Sequence, residues 1–319
     1  MSKYLLDFEA PLKEIEKKIE SLKSTSIQTG IDVDSGVMQL LDNLNNKKKE
    51  IYNNLSRWQR VQLSRHPLRP YFNDFIHRIT TFWYELHGDR YYSDDLALIG
   101  GLAKIDKLSV IVIGQEKGRG TKAKIKRNFG MVHPEGYRKA LRLMKLAEKF
   151  NLPVLSIIDT IGAYPGIGAE ERGQARAIAQ NIYEMINLKV PIVSVVIGEG
   201  ASGGALGIGV ADKILCFENT WYSVISPEGC ASILFHDSNR AEEAANAMQV
   251  TARDLEKIGI ADEILEEPQG GNHLDYDQAA LVLKNSVTKH FNNLMSLSKE
   301  ELINKRMQKY DNIGEWIDG

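Results

Sequence analysis

Two cysteines, Cys216 and Cys230, are too few for a disulfide scaffold, and neither they nor the seven histidines show metal-ligand spacing. No apolar run approaches the ~18 residues of a membrane span, and the best candidate, 190–197, is closed by Glu199. The chain turns acidic at Asp7 before an apolar signal segment can form, so a cytoplasmic protein is expected. A formal net charge of -2 gives no global attraction to nucleic acid or membrane, and any anion site must be local. The phosphate-loop pattern G-x-x-x-x-G-K-[ST] is missing, as are short-period repeats and low-complexity segments.

What is present is ordinary for a globular protein with a real core: 43% hydrophobic and 26% charged residues over 319 positions. The first sixty residues are glycine-poor, with Leu12, Ile15, Ile19 and Leu22, then Val37, Leu40, Leu44, Ile51 and Leu55, at helical spacing. The polar stretch 24–35 separates them, so a helical hairpin is expected over 1–60, as a packing or assembly element. From residue 61 strands and helices alternate. Strands are expected near 96–105, 108–114, 154–158, 192–197, 213–217 and 222–225, and helices near 135–150, 169–188, 227–235 and 251–257. Continuous apolar strands suggest an α/β sheet covered on both faces. The chain from 276 onward reads as helical, and its domains divide as 1–60, 61–295 and a helical tail, 296–319.

Two glycine-rich segments follow strong strands. Gly198-Glu199-Gly200-Ala201-Ser202-Gly203-Gly204 admits several readings. As G-x-G-x-x-G, with Glu218 twenty residues on, it is a dinucleotide fingerprint, although Glu199 would then sit beside a pyrophosphate. As G-x-S-x-G it is a nucleophile elbow exposing Ser202, with Asp262 and His273 as conceivable partners. It is also a plain packing turn, or a set of backbone amides at a helix start able to stabilise an oxyanion. The second segment, 159–166, carries Gly162, Ala163 and Gly166 and taken alone is an ordinary loop. Two such turns at strand ends of one sheet favour the amide reading, since α/β sheets bind ligands there.

Six of the eleven residues in 117–127 are basic, Lys117 and Arg119 among them, which suits either an anion or solvent. Arg138, Arg142, Lys145 and Lys149 add a basic stripe on the next helix, for which a small polyanion such as coenzyme A is the economical ligand. Arg172, just past the second glycine turn, is placed either to hold a carboxylate or to pair with a neighbouring Glu.

Taken together, Arg65-His66-Pro67-Leu68-Arg69-Pro70, Glu85-Leu86-His87-Gly88-Asp89-Arg90, Asn128-Phe129-Gly130-Met131, Ala169-Glu170-Glu171-Arg172-Gly173-Gln174, Gly203-Gly204-Ala205-Leu206 and Ser223-Val224-Ile225-Ser226-Pro227-Glu228-Gly229 resemble the α subunits of bacterial and plastid acetyl-CoA carboxylase carboxyltransferases. The similarity runs over nearly the whole chain. It implies a crotonase-like spiral of ββα units with an N-terminal helical hairpin and C-terminal helices. It implies transfer of a carboxyl group from carboxybiotin to acetyl-CoA, giving malonyl-CoA for fatty acid synthesis, with no metal in this chain. It further implies a zinc-ribbon β subunit in an α2β2 assembly, a biotin carboxyl carrier protein and a biotin carboxylase. By resemblance, Gly203 and Gly204, with Gly162 and Ala163, supply the biotin-side amides, while Lys117, Arg119 and Arg172 are candidates for holding carboxylate or phosphate. Ile161, Ala201 and Phe235 depart from the family pattern, where Pro, Gly and Trp are usual.

Overall fold

A computed structural model describes residues 3–314. The N-terminal periodicity becomes a hairpin of α1 (Ala10–Thr29) and α2 (Asp34–Asn53), with Leu12, Ile19, Val37 and Leu44 buried between them. The break falls later than the polar stretch suggested. Ser24, Thr25 and Thr29 hydroxyls bond carbonyls three or four residues back, which lets polar residues continue α1 until Gly30, at φ 71°, ends it. Then come α3 (Arg57–Ser64), opened by a Ser56–Gln59 capping box, and α4 (Phe72–Ile79).

The sheet begins with β1 (Phe82–Glu85), β2 (Leu98–Ile105) and β3 (Leu108–Gln115), which pair antiparallel. Next follow α5 (Gly120–Lys126), α6 (Pro134–Phe150), β4 (Val154–Thr160), α7 (Ile167–Glu171) and α8 (Gln174–Ile186). The single helix expected over 169–188 is broken at Arg172–Gly173, where Gly173 adopts φ 80°. Then come β5 (Ile192–Ala201), α9 (Ser202–Leu206), β6 (Lys213–Phe217) and β7 (Trp221–Ser223). The chain closes with α10 (Pro227–Phe235), α11 (Ala241–Met248), α12 (Ala252–Lys257), β8 (Glu263–Leu265), α13 (Tyr276–Met295) and α14 (Lys299–Asp311).

Strand order is β1-β2-β3-β4-β5-β6-β8, parallel from β3 onward. All ten residues of β5 are buried. Its first half pairs with β6, whereas Glu199–Ala201 pair with β7, so one strand serves two partners in succession. Helices α6 and α8 cover one face through Leu143, Met144 and Met185; α4 and α13 cover the other through Phe72, Phe75 and Phe291. The sheet is thus covered on both faces, which is why its central strands read as unbroken apolar runs. Parallel β4 and β5, with Thr160 beside Gly200, bring the two glycine-rich turns to the same edge.

The described part of the C-terminal tail is docked onto this core. Arg306 of α14 is 1% exposed, pairs with Asp212 at 2.8 Å, and donates to the carbonyls of Met185, Leu188 and Val190. Residues 315–319 of the expected tail lie outside the described residues. Among the described residues, no helix is long and apolar enough to cross a membrane.

Candidate functional site

Ser202, at φ 55°, turns the chain sharply from β5 into α9. A helix cannot bond its own first amides, so α9 has no use for those of Ser202, Gly203 and Gly204. With only five residues α9 adds little dipole, and the amides count as individual donors. Gly204 is buried against the other turn: a Cβ added there would lie 2.5 Å from the Ala163 nitrogen. Its missing side chain is what lets the two turns touch. Gly203 is freer, its nearest neighbour being Ile178 at 3.6 Å from such a Cβ. Ala201, one of the family departures, sits at φ -105°, a conformation any residue adopts.

The turn after β4 is bonded differently. The Gly162 amide donates to Thr160 Oγ1 at 3.1 Å, and Tyr164 donates to the Val132 carbonyl at 3.1 Å. Gly162, expected as a donor, therefore has its N–H engaged within its own turn; Ala163 does not. The Thr160 hydroxyl reaches the carbonyls of Gly130 and Gly162, each at 2.7 Å, which closes the turn on itself.

Beneath both turns lies a set of charges. Lys117 is 9% exposed, and its ammonium stands 2.7 Å from Asp159 and 2.7 Å from Glu199. Burial opposes the lysine charge, but the two carboxylates outweigh it and raise the pKa above the ordinary lysine value. Burial likewise works to raise Glu199, yet Lys117 and Arg65 hold it below the usual carboxylate range. Arg65 bridges Glu199 at 2.6 Å and Glu228 at 2.5 Å. The Glu199 amide also donates to Asp159 at 3.0 Å. Gln115, at the end of β3, donates to the Gly204 carbonyl and accepts from the Asp159 amide. In the sequence Gln115 and Asp159 carry no expected role, Glu199 enters only as an obstacle to a pyrophosphate, and Arg65 only as part of a family motif. The signals available were the adjacency of Asp159 and Glu199 to the glycines and the place of Arg65 in that motif.

The other basic candidates are dispersed. Arg119 pairs with Asp74 at 2.5 Å and lies over the Tyr71 ring. Arg172 pairs with Glu135 at 2.9 Å and lies over Tyr92, in a side cleft shared with Arg138 and Arg176. The basic stretch 117–127 contains the helix α5, and the stripe on α6 is spent locally, Arg138 on Asp89 and Lys145 on Glu184. The hydrolase partners are not assembled either. His273 is buried in a stack on His66, its pKa pushed down to about 2 by burial and then by His66 and Arg69, and Asp262 is bound by Lys213 and Lys309.

A cleft of about 810 Å³ opens between the two turns, lined by Ile161, Gly162, Ala163, Ser202, Gly203 and Val224 among others. Its walls are backbone and apolar side chains, with Glu170, Gln174 and Arg176 along one side. Ile161, a second family departure, is 47% exposed on this rim. Phe235, the third, is covered by Arg240, 3.9 Å from its ring.

A family model described as acetyl co-enzyme A carboxylase carboxyltransferase-like matches residues 5–314. The chain is 52% identical to the acetyl-coenzyme A carboxylase carboxyl transferase subunit alpha of Flavobacterium johnsoniae, over 98% of each chain. It is equally similar to that subunit from Staphylococcus aureus, at 52% over 98% of this chain and all of the relative. Among solved structures it resembles transcarboxylase 12S (TM-score 0.54, 20% identity), covering 67% of this chain and 41% of that one. It also resembles a chain of a Pseudomonas malonate decarboxylase hetero-tetramer (TM-score 0.55, 14% identity), covering 67% and 85%. At such identities the structures speak for the fold alone, which is crotonase-like. Sequence and fold agree: the chain belongs to the acetyl-coenzyme A carboxylase carboxyl transferase alpha-subunit family.

Proposed function

We propose that this chain's share of carboxyl transfer from carboxybiotin to acetyl-CoA is to present the Gly203 and Gly204 amides, with that of Ala163 nearby, to the biotin side of the reaction. One observation carries the reading: Gly204 is packed backbone to backbone on Gly162–Ala163, beside amides that α9 leaves unbonded. Bound biotin would supply the activated carboxyl group and take up negative charge on its ureido oxygen as that group leaves. The residues suit such a guest. A cradle free of Cβ atoms lets an oxygen approach the main chain, and Ile161, Ile178 and Val224 offer apolar walls to a ring. Preorganised amides favour the charged state of that oxygen over the neutral one, and this difference lowers the barrier.

In this reading Lys117 frames the site, because its charge is already answered by Asp159 and Glu199. Arg119 is spent on Asp74, outside the lining of the cleft. Arg172, on the side cleft, stays the candidate for an anionic group of a substrate. The acetyl-CoA side falls to a zinc-ribbon β subunit in an α2β2 assembly. The biotin arrives on its carrier protein after loading by biotin carboxylase, in the cytoplasm, and the product is malonyl-CoA for fatty acid synthesis. Ser202 is exposed on the rim and acts through its backbone geometry.

The decisive experiment removes one N–H and leaves every side chain in place. Glycolic acid in place of glycine at 204 turns that amide into an ester. With the β partner present, carboxyl transfer from malonyl-CoA to free biotin is expected to slow about 10²- to 10³-fold, the usual cost of one oxyanion donor. An unchanged rate removes Gly204 from the chemistry.

A further inference from the structure

Two consecutive glycines are a poor material for a fixed pair of donors, since each can rotate about φ and ψ with no side chain to resist. Electrostatic stabilisation needs the opposite, dipoles already aimed before the charge develops. Something must therefore hold the backbone on both sides of Gly204. The Gly203 carbonyl is held locally, by the Gly207 amide at 2.9 Å. The Gly204 carbonyl, which belongs to the next peptide with the Ala205 N–H, is held from two other elements, by Gln115 Nε2 of β3 at 2.9 Å and by the Tyr137 hydroxyl of α6 at 3.2 Å, and so anchors the far side of Gly204. One donor satisfies a carbonyl; two from different directions also fix where it points.

Gln115 does more. Fully buried, it accepts the Asp159 amide on Oε1 at 3.0 Å, so one side chain spans the root of the first turn and the body of the second. The amide orientation is forced, because a flipped group would set oxygen against carbonyl and N–H against N–H. The geometry points to Gln115 as a positioning residue for carboxyl transfer: it holds the two turns in register so that the Gly203 and Gly204 amides are aimed before biotin enters. This rests on the amide reading above. Lys117 ties Asp159 to Glu199 just below, so the brace has a polar tier and a charged tier. Tyr137 is the second pin, packed so closely that a Cβ on Gly207 would come within 2.8 Å of its ring.

The test uses the reconstituted complex, with malonyl-CoA and free biotin. Gln115→Met keeps the volume and loses both hydrogen bonds. It is expected to lower kcat about 10- to 100-fold while KM for each substrate stays within about twofold, because misaimed donors weaken the transition state and not the encounter. Tyr137→Phe is expected to lower kcat by about 3- to 10-fold. The double variant should lose less than the product of the two, since both pins act on one carbonyl. Wild-type kcat in Gln115→Met overturns the proposal, as does a loss that vanishes once active-site concentration is corrected. Should Gln115→Met fail to assemble, Tyr137→Phe decides alone, and unchanged kcat there overturns it equally. The ester at 204 separates the two ideas. If the ester is slow and Gln115→Met is not, only the positioning role falls; if the ester is fast, the amide reading falls first.

Discussion

The two glycine-rich turns have similar composition and the same place in the fold, each leaving a buried parallel strand, yet they are held in opposite ways. The first closes on itself: Thr160 takes the Gly162 amide and Val132 takes that of Tyr164. The second is held by its carbonyls, through Gly207, Gln115 and Tyr137, and α9 itself offers its first amides no partner. In the proposed reading the first is a wall with one amide to spare, that of Ala163, and the second is a set of donors. Glycine content alone could not separate them; what separates them is which half of each peptide is already bonded.

The contrast is sharpest at Gly204. Gly204→Ala would drive a Cβ into the Gly162–Ala163 backbone, and neither side can yield cheaply. We expect a loss of about 3 kcal/mol in stability and at least about 100-fold in transfer, read by thermal unfolding and by the free-biotin assay. Gly204→Val would therefore report on folding as well as chemistry, which makes the ester the cleaner probe. Gly162→Ala meets no atom within 4 Å but must hold φ 144°, so about 1–2 kcal/mol of strain is expected. Its transfer rate should stay within about tenfold of wild type, because that amide is already engaged; a loss as large as that of the ester would break the distinction between wall and donors. Ser202→Ala should change the rate less than about twofold, and a serine-directed phosphonate should leave the chain unlabelled. A dead Ser202→Ala enzyme would instead restore the nucleophile reading.

Much of the frame was legible because its cause is local. The strand at 213–217 and the helix at 227–235 match the expected bounds, since apolar runs and the Ser226–Pro227 start signal are written in neighbouring residues. The missed strands, β1 and β8, have four and three residues, too short for any period to show. The glycines of the proposed site were legible for the same local reason. Gln115 was not: its partners are 89 and 44 residues away, and a buried glutamine looks like any other in a sequence. Lys117 misled for a related reason. It opens a run of basic residues, but a count of charges does not reveal that this one alone turns inward to Asp159 and Glu199.

Arg306 carries a final consequence. A chain cut after α13 would keep every residue of the cleft between the turns, yet it would strand Asp212 as a lone anion in an apolar interior, a defect on the order of 3–5 kcal/mol. It would also strip Tyr310 and Ile313 from the apolar hollow behind Gly203. The last helix thus closes the core from behind, and a chain lacking it is expected to unfold at a lower temperature although no cleft residue is lost.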